Sequence, residues 1–147
     1  MMDGNPARKA VIDTLSAAPP QRLESLWQGL GITPEYRLVR GPETGLVMIR
    51  GRAGGGGRPF NLGEASVTRA TVRLATGEVG HSYALGRDGE KAVRAALLDA
   101  LWQREPGRIE AEVLLPLRQA AAEADGKRRA ETAATRVNFF TMVRGDD

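Results

Sequence analysis

The chain contains no cysteine. It therefore holds no disulfide, no thiolate nucleophile, no iron–sulfur cluster on the usual ligands and no Cys-type zinc site. Its single histidine, His81, rules out a His-rich metal centre within one copy. A site built only of carboxylates stays open, but no acidic cluster suggests one, so neither a metal nor a cofactor is expected. Aromatic residues make up 5% of the 147. They do not interleave with basic residues as they do in nucleic-acid-binding strands, so nucleic acid is not an expected partner. No apolar run approaches the roughly 20 residues needed to cross a bilayer. The opening Met1–Pro6 carries no basic stretch followed by apolar residues, so a cytoplasmic protein without membrane contact is expected.

What is present reads as globular, with 41% hydrophobic and 27% charged residues. The length suits one core, and a single domain over residues 1–147 is expected. Formal net charge is +3, and among 21 basic residues only Lys9, Lys91 and Lys127 are lysines. Arginine suits bidentate capture of phosphate or carboxylate and ion pairs at interfaces. GC-rich codon usage would produce the same excess, so the excess alone decides nothing.

The periodicities point to an α+β fold. Asn5 and Pro6 open a helix with Val11 and Leu15 on its apolar face, and Pro19-Pro20 ends it. A second helix carries Leu23, Leu26, Trp27 and Leu30 and closes at Gly31, giving an αα-hairpin. Strands are expected over 36–40 and 46–52 around a turn at 41–45, then over 65–74 and 79–85 as a hairpin. A two-residue loop at Thr76-Gly77 would pair Val72 with His81 and Ala70 with Tyr83 on the core face. Apolar positions change phase between Val67 and Ala70, which predicts a bulge or a simple bend near Thr68-Arg69. Asp88 can cap a helix to about Arg104, and a second helical stretch over about 109–133 is interrupted or restarted at Pro116. Residues 136–144 have apolar residues on both faces and read as a final strand, buried here or against another protein.

Chemistry is concentrated in few places. Gly54–Gly57 between Arg52 and Arg58 can turn backbone N–H groups toward an anion. No Gly-Lys-Ser/Thr follows, so it is not a P-loop, and it opens no helix as a dinucleotide fingerprint would. A flexible surface loop is the alternative. His81 is the one ready general base near neutral pH, and a core or interface histidine is its other reading. The expected substrate contacts are Arg52, Gly55, Gly57, Arg58 and Arg69. No residue is assigned a catalytic role.

Several strings taken together are specific. Glu43-Thr44-Gly45-Leu46-Val47, the glycine run, Thr68-Arg69-Ala70-Thr71-Val72-Arg73-Leu74, Leu85-Gly86-Arg87-Asp88 and Asp99-Ala100-Leu101 resemble the central pattern of the PhnG family. Arg136-Val137-Asn138-Phe139-Phe140-Thr141-Met142-Val143-Arg144-Gly145-Asp146 resembles its C-terminal signature most closely. The likeness runs from about residue 10 to the end and is weakest over 107–134. It implies a subunit of the hetero-oligomeric carbon–phosphorus lyase core complex of phosphonate metabolism. With the H, I and L partners, such a subunit supports the transferase step that replaces adenine on ATP by a phosphonate, giving ribose 1-phosphonate 5-triphosphate. The I subunit carries the nucleosidase site, and the J subunit is the radical lyase that breaks the carbon–phosphorus bond. A chain without cysteine cannot hold that enzyme's cluster. The resemblance thus implies an accessory subunit, not catalytic alone, with H, I and J as partners and Phe139, Phe140, Met142 and Arg144 as the interface.

Overall fold

The computed structural model describes residues 5–52 and 59–145, with side chains over 5–48 and 63–133. Helix α1 (Pro6–Ala17) starts at the expected cap, where Asn5 Oδ1 accepts from the backbone N–H groups of Ala7 at 2.9 Å and Arg8 at 3.4 Å. Helix α2 (Pro20–Leu30) ends at Gly31. Three antiparallel strands follow, β1 (Tyr36–Arg52), β2 (Pro59–Leu74) and β3 (Val79–Leu85), in the order β1-β2-β3. Asp88 caps helix α3 (Gly89–Arg104) by accepting from Lys91 N–H at 2.9 Å. The short α4 (Pro106–Ile109), a π-helical turn (Glu110–Leu114) and α5 (Leu115–Gly145) complete the chain.

The α+β reading holds, and four local expectations are corrected. First, residues 41–45 do not turn the chain; β1 runs through them. From Leu38↔Val72 to Glu43↔Arg69, β1 takes five steps while β2 takes three, so two extra residues bulge from β1. Gly41 makes this possible: its φ is 77°, and a Cβ there would lie 2.5 Å from Arg69 O. Second, β2 itself is regular beside β3 from Val67↔Leu85 to Arg73↔Val79. The phase change resolves without a bulge in β2, because Thr68 continues the buried row of Ala70, Val72 and Leu74. Its hydroxyl donates to Gly86 O at 2.7 Å and accepts from Thr44 at 2.9 Å, which satisfies the buried oxygen.

Third, the β2–β3 loop has three residues, with Gly77 N–H donating to Leu74 O and Leu74 N–H to Glu78 O. This shifts the register by one, so Ala70 faces Ser82 and Thr71 faces His81. A one-residue slip inverts every side chain. His81 is consequently exposed, and Ser82 is buried instead. Fourth, residues 136–144 are not a strand but the end of α5. Helix extension adds one hydrogen bond per residue once started, and no proline after Pro116 stops it. The expected break at Pro116 is accommodated by the π turn just before it.

The core lies between the buried face of the sheet and the helices. It joins Val11 and Leu15 of α1, Leu23 and Leu30 of α2, Ala70, Val72 and Leu74 of β2, and the apolar side of α3 with Val113, Leu114 and Leu117. The seam between β3 and α3 leaves no room for a side chain at Gly80. A Cβ on Gly80 would lie 1.9 Å from Ala96 O and 2.9 Å from Ala100 Cβ, so the two backbones meet directly.

Candidate functional site

One face of the sheet carries the helices; the other carries none of this core. Residues opposite one another in register share a face. The open face therefore presents Arg37, Arg73 and Val79 in one row, Arg40, Thr71 and His81 in the next, and Glu43, Arg69 and Tyr83 in the third. Beyond them come Gly45, Val67 and Leu85. The four arginines are exposed, and Leu85 is 74% exposed. Arg40 Nε lies 3.7 Å from Glu43 Oε1, whereas Arg37, Arg69 and Arg73 have no acceptor or ion pair among the described residues. Thr71 Oγ1 and His81 Nδ1 share a hydrogen bond of 3.1 Å.

At the β3 border of this face lies an open groove of about 260 Å³ between α1 and β3. Tyr83 OH donates to Asp13 Oδ1 at 2.6 Å, and Lys9 Nζ donates to Asp13 Oδ2 at 2.8 Å. The Lys9 and Tyr83 hydrogen bonds hold the Asp13 carboxyl below its usual value. Asp13 in turn raises the Tyr83 phenol and the Lys9 ammonium.

Deeper, Asp99 is fully buried and accepts from Arg8 Nη2 at 3.1 Å, Arg8 Nε at 3.4 Å and His81 N–H at 2.9 Å. Arg8 Nη2 and Gln103 Nε2 both donate to Val79 O, at 3.0 and 2.8 Å. Side chains of α1 and α3 thus satisfy Val79 O and His81 N–H at the start of β3's outer edge. These groups are consumed by the fold.

A second groove, of about 830 Å³, lies between α2, the start of β1 and α3 and includes Trp27, Tyr36 and Arg94. Arg94 stacks 5.8 Å from the Trp27 ring centroid and pairs with Glu24. Lys91 contacts this helical side through Ser16 O at 2.7 Å, and burial lowers its pKa.

The expected contact residues are scattered. Arg69 stands on the open face. Arg52 is the last residue of β1, paired with Pro59, so the ribbon places it about 30 Å from Arg69 at the usual rise per residue. Gly55, Gly57 and Arg58 lie outside the described residues. The backbone of Phe139, Phe140, Met142 and Arg144 is helical, and their side chains lie outside the described ones. The partners of Arg69 on the open face, Arg37, Arg40 and Arg73, were not singled out from sequence. A signal existed: Arg69 and Arg73 share the phase opposite to Ala70, Val72 and Leu74. Nothing comparable announced Arg8 with Asp99, which are 91 positions apart.

The chain is thus an α+β protein with a helix-covered sheet, a basic open face and polar clusters committed to its own packing. The chain belongs to the PhnG family of phosphonate metabolism proteins, whose pattern matches residues 6–145. It is 53% identical over 141 residues to the alpha-D-ribose 1-methylphosphonate 5-triphosphate synthase subunit PhnG of Rhizobium meliloti (strain 1021), covering 95% of this chain and 90% of that one.

Proposed function

We propose that this chain is an accessory subunit of a ribose 1-phosphonate 5-triphosphate synthase. It acts in organic phosphonate catabolism, in the cytoplasm, beside the H, I and J subunits of a carbon–phosphorus lyase complex. The observation that carries the reading is the 53% identity to a named subunit of that synthase across nearly the whole chain. Two structural features support it. The described side chains of α5 from Ala121 to Ala133 are all exposed, so this stretch of the helix has little to pack against among the described residues. The open face adds an uncovered basic surface.

In this reading Phe139, Phe140, Met142 and Arg144 contact a partner from a helix. Burying one phenylalanine contributes roughly 1.5–3 kcal/mol. Phe139→Ala with Phe140→Ala should abolish co-purification with the H, I and J subunits while the chain stays folded by circular dichroism. Unchanged recovery of the complex would reject these residues as anchors.

A second reading, direct contact with the triphosphate or phosphonate through Arg52, Gly55, Gly57, Arg58 and Arg69, is favoured by the exposed Arg69 with no described acceptor. Calorimetric titration of the isolated chain with ATP and with methylphosphonate separates the two. Silence supports the accessory role, and stoichiometric binding lost in Arg69→Ala supports direct contact.

A further inference from the structure

We propose that the open sheet face docks an acidic, partly apolar surface of another subunit of the same assembly, gripping it with Arg37, Arg40, Arg69 and Arg73. This rests on the subunit reading above and supplies it with a surface.

Charge is the first argument. Arg37 and Arg73 are direct cross-strand partners. Like charges placed opposite one another work against a sheet, and nothing described on this face compensates them. Glu43 is the one acidic residue in register there, and it already stands beside Arg40 at 3.7 Å. Carboxylates from outside would relieve the repulsion. Planar guanidinium groups receive them in pairs of hydrogen bonds, which lysines would not. The basic stretch extends about 13 Å along β2 from Arg69 to Arg73.

Composition is the second. Beside the arginines lie Val67 and Leu85, direct partners in register, and Tyr83. Arginine and tyrosine next to exposed apolar side chains are the mixture that protein interfaces favour.

Shape is the third. Small ligands take concave sites. The two grooves described above are lined by none of these four arginines, which stand on successive rows of one strand pair. A face built this way matches a macromolecule better than a free phosphate.

The test co-expresses the full chain with the other synthase subunits and compares wild type with Arg37→Glu, Arg73→Glu. Affinity is measured on purified components over a salt series. Wild-type binding should weaken as salt rises. The reversed variant should bind at least about ten-fold more weakly at low salt and lose the salt dependence. Its melting temperature should stay at or above that of wild type. If the reversal prevents folding, Arg37→Gln with Arg73→Gln replaces it. Arg22→Glu, a charge reversal on α2 away from this face, should bind as wild type does.

A wild-type chain that recruits no subunit overturns the subunit reading and this one with it. A reversed variant that is recruited as tightly as wild type at every salt concentration overturns the docking face alone. So does loss of inorganic tripolyphosphate binding in the variant with assembly intact, which would make the face an anion site. Conversion of a self-associated wild type to a monomer, again with assembly intact, would assign the face to a second copy.

Discussion

At Gly80 β3 and α3 meet backbone to backbone, with no room for a side chain between them. A methyl group there meets the Ala96 carbonyl oxygen at 1.9 Å. Because the obstacle is backbone, the helix itself must shift. Gly80→Ala should cost about 3 kcal/mol or more, the upper end of the usual range for overpacking, read as a lower urea midpoint. Asp99 holds the same seam by charge. Asp99→Ala would leave the Arg8 guanidinium and His81 N–H without their acceptor. Removing one member of such a buried pair costs about 3–5 kcal/mol. Adding Arg8→Met should return part of that loss in equilibrium unfolding, since the unpaired charge is gone. At the groove, the Lys9 and Tyr83 hydrogen bonds lower the Asp13 pKa from 3.8. Their support is therefore present above pH 3.8 and is lost as pH falls through the lower folded value. The Tyr83 phenol is raised from 10.0, so its share is present below that pH and lost as pH rises past the folded value. Tyr83→Phe should move Asp13 part of the way back toward 3.8 in an NMR carboxyl titration, with Lys9 keeping the larger share of the shift.

Among the elements, α5 has a middle stretch with little described packing. Its described side chains bury Leu117 and then are exposed from Ala121 to Ala133. It is helical because Ala, Arg, Glu and Lys are good helix formers and no strong breaker follows Pro116. Deleting residues 122–147 should shift the unfolding free energy by no more than about 1 kcal/mol, measured by denaturant titration. The same deletion should abolish recruitment of partner subunits. The helices α1, α2 and α3 were legible because their caps and apolar stripes are local: Asn5, Gly31 and Asp88 each mark an end. The sheet was legible in existence but not in register. Whether the chain turns or bulges at Gly41 depends on β2 continuing past it, a tertiary fact. The loop at Ala75–Gly77 takes three residues rather than two, and that single residue decides whether His81 or Ser82 is buried. Residues 136–144 look like a strand locally, and only their continuity with a helix begun at Leu115 makes them helical. Of the site, Arg69 was legible, while its neighbours on β1 needed the pairing with β2.

At the scale of the whole molecule, the arginines of the open face concentrate charge that a net +3 understates. Such a surface steers an acidic partner during encounter, and salt screens that attraction over a Debye length of about 10 Å at 0.1 M. The association rate with the other subunits should therefore fall as ionic strength rises, while the dissociation rate changes less, both readable by surface binding kinetics. The two borders of the sheet are treated differently. β3 has the start of its outer edge, Val79 O and His81 N–H, capped by Arg8, Gln103 and Asp99. Among the described residues β1, with 17 residues, pairs with β2 alone, and the regular ladder is interrupted by bulges of β1 between Leu38 and Glu43 and by one extra residue of β2 opposite Ile49/Arg50. A strand with one free side is a template for mispairing. Made in excess of its partners, the chain would expose that template from the moment it leaves the ribosome. Balanced synthesis with the other subunits is therefore a requirement of folding quality control as much as of assembly.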